Sequence, residues 1–313
     1  LMETRKLSLM DFLKKYGILI VLIAMWVIML IVSPTFRTVE NAVNILRQVA
    51  VNGIIAIGMT FVIMTGGIDL TVGSLIAVSG VVAGSILVAD PSKVGLAVLA
   101  GIAVCGLFGA INGLFTAYAG VPPFVATLAG MTMARGFAYV YSDGKPYTLA
   151  SEGFSVIGKG YAPIIIFLVI LLISNFILSK TKFGRYIYAT GGNSRAAMAS
   201  GVNVKKVTIW VYILSGILAG ISGIVLASRT NSGQPAVGTG YETDAIAAAV
   251  IGGTSMSGGI GTIGGTLIGI LIIGTLNNSL NLLNVSSYYQ QIIKGLIIVG
   301  AVCFDIFSKK RSK

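Results

Sequence analysis

The stretch GGIDLTVGS, Gly66 to Ser74, interrupts an otherwise apolar chain, and GGTSMSGGIG, Gly252 to Gly261, interrupts it a second time. Each follows one oily run and precedes another. Hydrocarbon offers no partner to a free N–H or C=O, so non-helical backbone persists at membrane depth only where protein or a water-filled path surrounds it. Transporter helices are broken in this way around their substrates.

Working outward, 55% of the 313 residues are hydrophobic, only 10% are charged, and the mean hydropathy is +0.92. A soluble core has no use for so much apolar chain. A span takes about 20 mostly apolar residues, and ten such runs are read: 17–33, 48–64, 72–89, 94–119, 122–141, 163–179, 207–228, 242–257, 262–283 and 287–305. The expected fold is an all-α polytopic membrane protein of about ten transmembrane helices, some broken or halved. A single transmembrane domain is expected over 1–313, membrane-embedded over 17–305. The first run follows Arg5, Lys6, Lys14 and Lys15. It is too long for a secretory signal and lacks an A-x-A-like cleavage site, so it is read as a retained first span. The two cysteines, Cys105 and Cys303, lie within apolar runs and read as small buried hydrophobes. The absence of histidine from the sequence excludes a His-based metal site, a Ser-His-Asp triad and a histidine proton relay.

The net charge is +12, and its placement orients the chain. Of 22 Lys and Arg, four sit in the N-terminal tail, four in the C-terminal tail (Lys309, Lys310, Arg311, Lys313) and six between Lys180 and Lys206. The acids Asp90, Asp143, Glu152 and Glu242 fall in the alternate loops. The positive-inside rule therefore predicts cytoplasmic N- and C-termini and a cytoplasmic 180–206 loop. Within that loop, Asn193 to Ser200 can form a short helix with Asn193 or Ser194 as N-cap and Gly201 as its stop. Such a helix could fit a cleft on another protein or lie on acidic lipid.

Uphill transport needs ATP or an ion. GFSVIGKG, Gly153 to Gly160, has phosphate-loop spacing but places Gly160 where Ser or Thr should hold magnesium, and no strand feeds it. Acids within spans would mark ion coupling, and the candidates are Asp69 and Asp244. Arg135 and Lys294 also lie in runs and are expected to be paired or wet. Asp69 reads either as a ligand for ion or substrate or as the cap of a helix starting near Thr71. The second break offers Thr254, Ser255 and Ser257. Aligning Gly66 with Gly252 also matches Gly67 and Gly73 with Gly253 and Gly259, which suggests an internal repeat. Gly216 with Gly220, and Gly261 with Gly265 and Gly269, have the spacing of close helix packing. The polar stretch LNNSLNLLNVSSYYQQIIKG, Leu276 to Gly295, carries Asn277, Asn278 and Asn281. Its amides suit a neutral polyol and equally suit interhelical hydrogen bonds.

MTFVIMTGGIDLTVGSLIAVSG, FGRYIYATGGNSRAAMASGVNV, GTGYETDAIAAAVIGGTSMSGG and LNNSLNLLNVSSYYQQIIKG together resemble the permease subunits of bacterial ribose ABC importers, over essentially the whole chain. The resemblance implies a non-catalytic subunit in the inner or plasma membrane of a bacterium, two copies of which form a monosaccharide pathway. It implies a cytoplasmic ATPase that holds ATP and magnesium, a sugar-binding protein outside, and no cofactor or metal in this chain. Membrane lipid is an expected partner and nucleic acid is not. The family's coupling helix falls on Gly191, Gly192, Asn193, Arg195, Ala196, Ala197, Gly201 and Val202. Asp69, Thr254, Ser255, Asn277 and Asn278 are candidate pathway residues. The rival expectation is a self-sufficient ion-coupled sugar transporter, with Asp69 and Asp244 as ion ligands.

Overall fold

The computed structural model describes residues 9–310, with side-chain surroundings over 17–300 and at 302 and 303. The tail cations Arg5, Lys6, Arg311 and Lys313 lie outside the described residues, as do the side chains of Lys14, Lys15, Lys309 and Lys310. In chain order the helices are α1 (Leu9–Val32), α2 (Val39–Met64), α3 (Val72–Ala89), α4 (Val94–Ala117), α5 (Pro123–Tyr141), α6 (Glu152–Gly158), α7 (Ala162–Lys180), α8 (Lys182–Gly192), α9 (Ser194–Ala199), α10 (Val204–Thr230), α11 (Tyr241–Ile251), α12 (Ile263–Leu282) and α13 (Ser287–Lys310). A helix stands on each of the ten apolar runs. Among the described residues six helices, α2, α3, α4, α7, α10 and α12, are long and apolar enough to cross a membrane.

The core is formed by α2, α3 and α10. The run from Gly53 to Met64 in α2 and the run from Val72 to Gly84 in α3 are buried on every side, so these helices are apolar all round rather than striped. α10 packs most closely on α4, where Gly109 faces the Tyr212 carbonyl and Gly216 faces the Cys105 carbonyl. The Gly216 and Gly220 spacing thus closes a seam within the chain. Gly265 and Gly269 likewise admit the backbone of α11. Leu99 and Leu107 on α4, and Ile165, Leu172 and Phe176 on α7, are exposed. An apolar surface of that extent belongs in lipid, so the chain is a multi-pass membrane protein.

The two breaks begin alike. At the end of α2, Gly66 N–H donates to the Ile63 carbonyl at 2.9 Å and Gly67 N–H to the Val62 carbonyl at 3.1 Å. At the end of α11, Gly253 N–H donates to the Val250 carbonyl and Thr254 N–H to the Ala249 carbonyl, both at 2.9 Å. Both are Schellman stops, which need a left-handed residue that glycine supplies without steric cost; φ is +82° at Gly66 and +89° at Gly253. In these two stops Gly66 corresponds to Gly253, one position beyond the register the glycines suggest in sequence.

The eighth run departs from expectation. α11 has 11 residues, about 16 Å at about 1.5 Å per residue, against a hydrocarbon core of about 30 Å. It is a half helix, and a segment built mainly of turns over 231–240, with a two-residue strand near its start, precedes it. This segment runs beside α3, with Gly233 against the Gly80 carbonyl and Gly238 against the Gly73 carbonyl. Its backbone is satisfied piece by piece. β2 (Ser232–Gly233) pairs antiparallel with β1 (Tyr147–Thr148), and Arg135 donates to the Pro235 and Val237 carbonyls at 2.6 and 2.8 Å. Glu242, expected in an outer loop, instead lies in the first turn of α11, where it accepts from Gly240 N–H at 3.1 Å. The 180–206 segment, expected as a loop around one short helix, holds both α8 and α9. The phosphate-loop lookalike is mostly helix α6, and Gly158 packs on the backbone of Arg229.

Candidate functional site: a polar cavity and a glycine junction

A cavity of about 410 Å³ opens between α2, α10, α11, α12 and α13, within the range of roughly 300–1,000 Å³ usual for small-molecule sites. Three helices each turn one polar pair spaced i,i+4 towards it: Gln48 and Asn52 from α2, Asn277 and Asn281 from α12, and Gln290 and Lys294 from α13. That spacing puts both members of each pair on one helical face. Asp244, in the first turn of α11, meets Lys294 at 3.0 Å, with side chains 5% and 24% exposed. Its Oδ2 also accepts from Asn277 Nδ2 at 3.2 Å and from Asn52 Nδ2 at 3.4 Å. A carboxylate this buried would be several kcal/mol out of balance without such partners. Asn52 lies near the middle of α2, so α11 starts at mid-depth and descends to the second break.

At the far end of α11 three stretches of backbone converge. Gly259 N–H in the second break donates to the Met64 carbonyl at 2.9 Å. The end of α8 closes over the pair: Tyr188 donates its hydroxyl to the Gly261 carbonyl at 2.8 Å, and a Cβ on Gly191 would overlap the Met64 carbonyl oxygen. The first break, the second break and α8 therefore meet backbone on backbone, a contact that admits no side chain at Gly191.

Beyond this junction, α9 presents itself outward. Asn193 Oδ1 caps it by accepting from Ala196 N–H at 3.0 Å. Gly201, at φ +84°, closes it with Val202 in a third Schellman stop, through bonds to the Met198 and Ala197 carbonyls. Ala197 is buried, while Arg195, Ala196 and Met198 are exposed. Gly192 is exposed at the turn between α8 and α9.

The other residues singled out from sequence are dispersed. Asp69 is fully buried. Its Oδ1 accepts from Thr71 N–H at 3.0 Å and from the Thr71 hydroxyl, and its Oδ2 accepts from the Ser215 hydroxyl at 2.7 Å. The carboxylate thus organises the start of α3 and ties it to α10. Thr254 and Ser255 are buried in the second break, where Ser255 N–H donates to the Ile260 carbonyl at 2.9 Å. Asn277 is at the cavity. Asn278, one position further round α12, is buried in a reciprocal amide pair with Asn41 at 2.9 and 3.1 Å. The residues missed from sequence are Gln48, Asn52, Arg229, Tyr241 and Gln290; the i,i+4 pairing of polar residues within apolar helices was the signal for Gln48, Asn52 and Gln290.

The chain is thus a multi-pass membrane protein with a polar cavity between its helices and a short capped helix displayed at one end, an architecture that suits a transport component. The family described as branched-chain amino acid transport system / permease component matches residues 41–302, and the chain belongs to that family. The ribose import permease protein of Bacillus subtilis is 46% identical over 310 residues, 97% of this chain and 96% of that protein. That of Escherichia coli is 47% identical over 296 residues, 92% of each chain. The L-arabinose transport system permease protein of Escherichia coli is 38% identical over 304 residues, 96% of this chain and 92% of that one. No solved structure matches the chain.

Proposed function

We propose that this chain is the membrane-spanning permease subunit of an ATP-driven, binding-protein-dependent importer of a monosaccharide, with ribose as substrate, in the plasma membrane of a bacterium. Two copies form the pathway. A cytoplasmic ATPase holding ATP and magnesium grips α8 and α9, and a sugar-loaded binding protein docks on the opposite face. The observation that carries the reading is identity of 46% to a ribose import permease over nearly the full length of both chains. If the half helix α11 and the 231–240 segment before it together make one crossing, the helices on the ten runs give an even number of passes, as the basic 180–206 segment and both basic tails lying inside require. ATP binding on the partner would shift the pathway between inward-open and outward-open populations, and α8 would relay the movement to both breaks through the glycine junction.

The test is transport by reconstituted proteoliposomes. With the ATPase, a ribose-loaded binding protein and ATP, ribose accumulates; with this chain alone and a sodium or proton gradient, it does not. Accumulation by the chain alone would favour ion coupling through Asp69 and Asp244 and defeat the proposal.

A further inference from the structure

We infer that the cavity at Asp244 is a sugar-binding site carried within each copy of the chain, with the Asp244 carboxylate as its principal acceptor of sugar hydroxyls. The inference rests on the importer reading and adds to it a place, a ligand chemistry and a key residue.

The lining fits a small neutral polyol. Amides carry both donors and an acceptor, the mixture that hydroxyls present in return. Gln48 lines the cavity, while Asn52 and Asn277 donate to Asp244 and Gln290 donates to Asn281 and the Val285 carbonyl, bonds a polyol would share or exchange. The acid and the lysine cancel each other at 3.0 Å, and Arg229 is a further cation in the lining, so an anionic sugar acid is the competing ligand that the test must separate from a neutral one. A polyol can insert between donors and carboxylate, giving Asp244 its hydroxyl hydrogens while its oxygens accept from Lys294 and the amides. Such charge-assisted bonds are the stronger kind.

A second observation points to a missing donor. Asn277 Nδ2 is spent on Asp244, which fixes the orientation of the amide, yet Asn277 Oδ1 is buried with no hydrogen-bond partner. Buried acceptors normally find a donor; this oxygen is closed off from the open cavity, so a sugar hydroxyl would reach it only once the Asn277 amide turns away from Asp244. Asp244 also lies on α11, whose other end is the second break, so a ligand held there pulls on the element that meets α8.

The test uses the full chain in lipid nanodiscs, carrying Cys303→Ser to remove the exposed native thiol and Thr230→Cys to place a reporter on the cavity wall; Cys105 is buried and does not interfere. Labelling by a charged, water-soluble thiosulfonate is followed with and without millimolar D-ribose. Ribose is expected to slow labelling at least fivefold, and adding Asp244→Asn should raise the half-protecting concentration at least tenfold. Unchanged labelling at saturating ribose would overturn the inference, as would protection by ribonate but not by ribose. If Asp244→Asn does not fold, the protection measured without it decides. Ribose uptake by the complete complex is measured alongside: uptake without protection removes this site alone, whereas protection without ATP-driven uptake keeps the site and removes the importer reading.

Discussion

Lys294 and Asp244 hold each other's charge in a site that water reaches only partly, and that mutual dependence can be measured. Replacing Lys294 by Met leaves the carboxylate with only neutral amide donors, and a broken buried pair costs about 3–5 kcal/mol. The double variant Lys294→Met with Asp244→Asn should recover most of that loss in a thermal unfolding cycle in detergent. A loss in the double variant equal to the sum of the losses in the two single variants would mean that the two side chains do not interact. Asp69→Asn keeps the volume but exchanges an acceptor for a donor facing Thr71 N–H and the Ser215 hydroxyl, so a loss of about 1–3 kcal/mol is expected. At this scale the amide of Asn277 was legible, because amides are rare in apolar helices. The Asp244 to Lys294 pair was not: its members lie 50 residues apart, and nothing local to either names the other.

Among the elements, the half helix α11 depends on the 231–240 segment that precedes it, and Arg135 is the clamp on that segment. Arg135→Met would release the carbonyls of Pro235 and Val237. Hydrogen exchange over 232–242 should then rise by at least an order of magnitude while α2 and α3 stay protected; unchanged exchange would show that β-pairing with Tyr147 and Thr148 suffices. Gly201→Ala forces a Cβ into a left-handed stop and should cost roughly 1 kcal/mol, read as faster exchange in α9 alone. Sequence foresaw α9 well because its signals are local: Asn193 at one end and Gly201 at the other. The 231–240 segment was opaque for the opposite reason. Its Asn, Ser, Gly and Pro residues are those of a surface loop, and only α3, Arg135 and β1, all distant in sequence, hold it against the core, with Gly233, Pro235 and Gly238 buried. α8 escaped notice because its 11 residues begin and end in turn-forming residues.

For the whole molecule, the path from α9 to the cavity is continuous: α9 joins α8, α8 touches both breaks at Gly191, and the second break is the end of α11, whose start carries Asp244. Gly191→Val would wedge α8 away from Met64, and ribose uptake by the complete complex should fall at least tenfold while the partner still hydrolyses ATP. The ten-run architecture was legible because hydropathy is a property of long segments, whereas the junction was not, because three glycine backbones meeting in space leave no periodicity. The most direct test of the account concerns which side α9 faces and what covers it. Met198 is 53% exposed, so Met198→Cys, in a chain with Cys303→Ser, gives a reporter at its surface. A membrane-impermeant thiol reagent is predicted to label this position only from the cytoplasmic side, and to be blocked when the ATPase is assembled. Labelling from outside intact cells, or labelling unaffected by the ATPase, would contradict it.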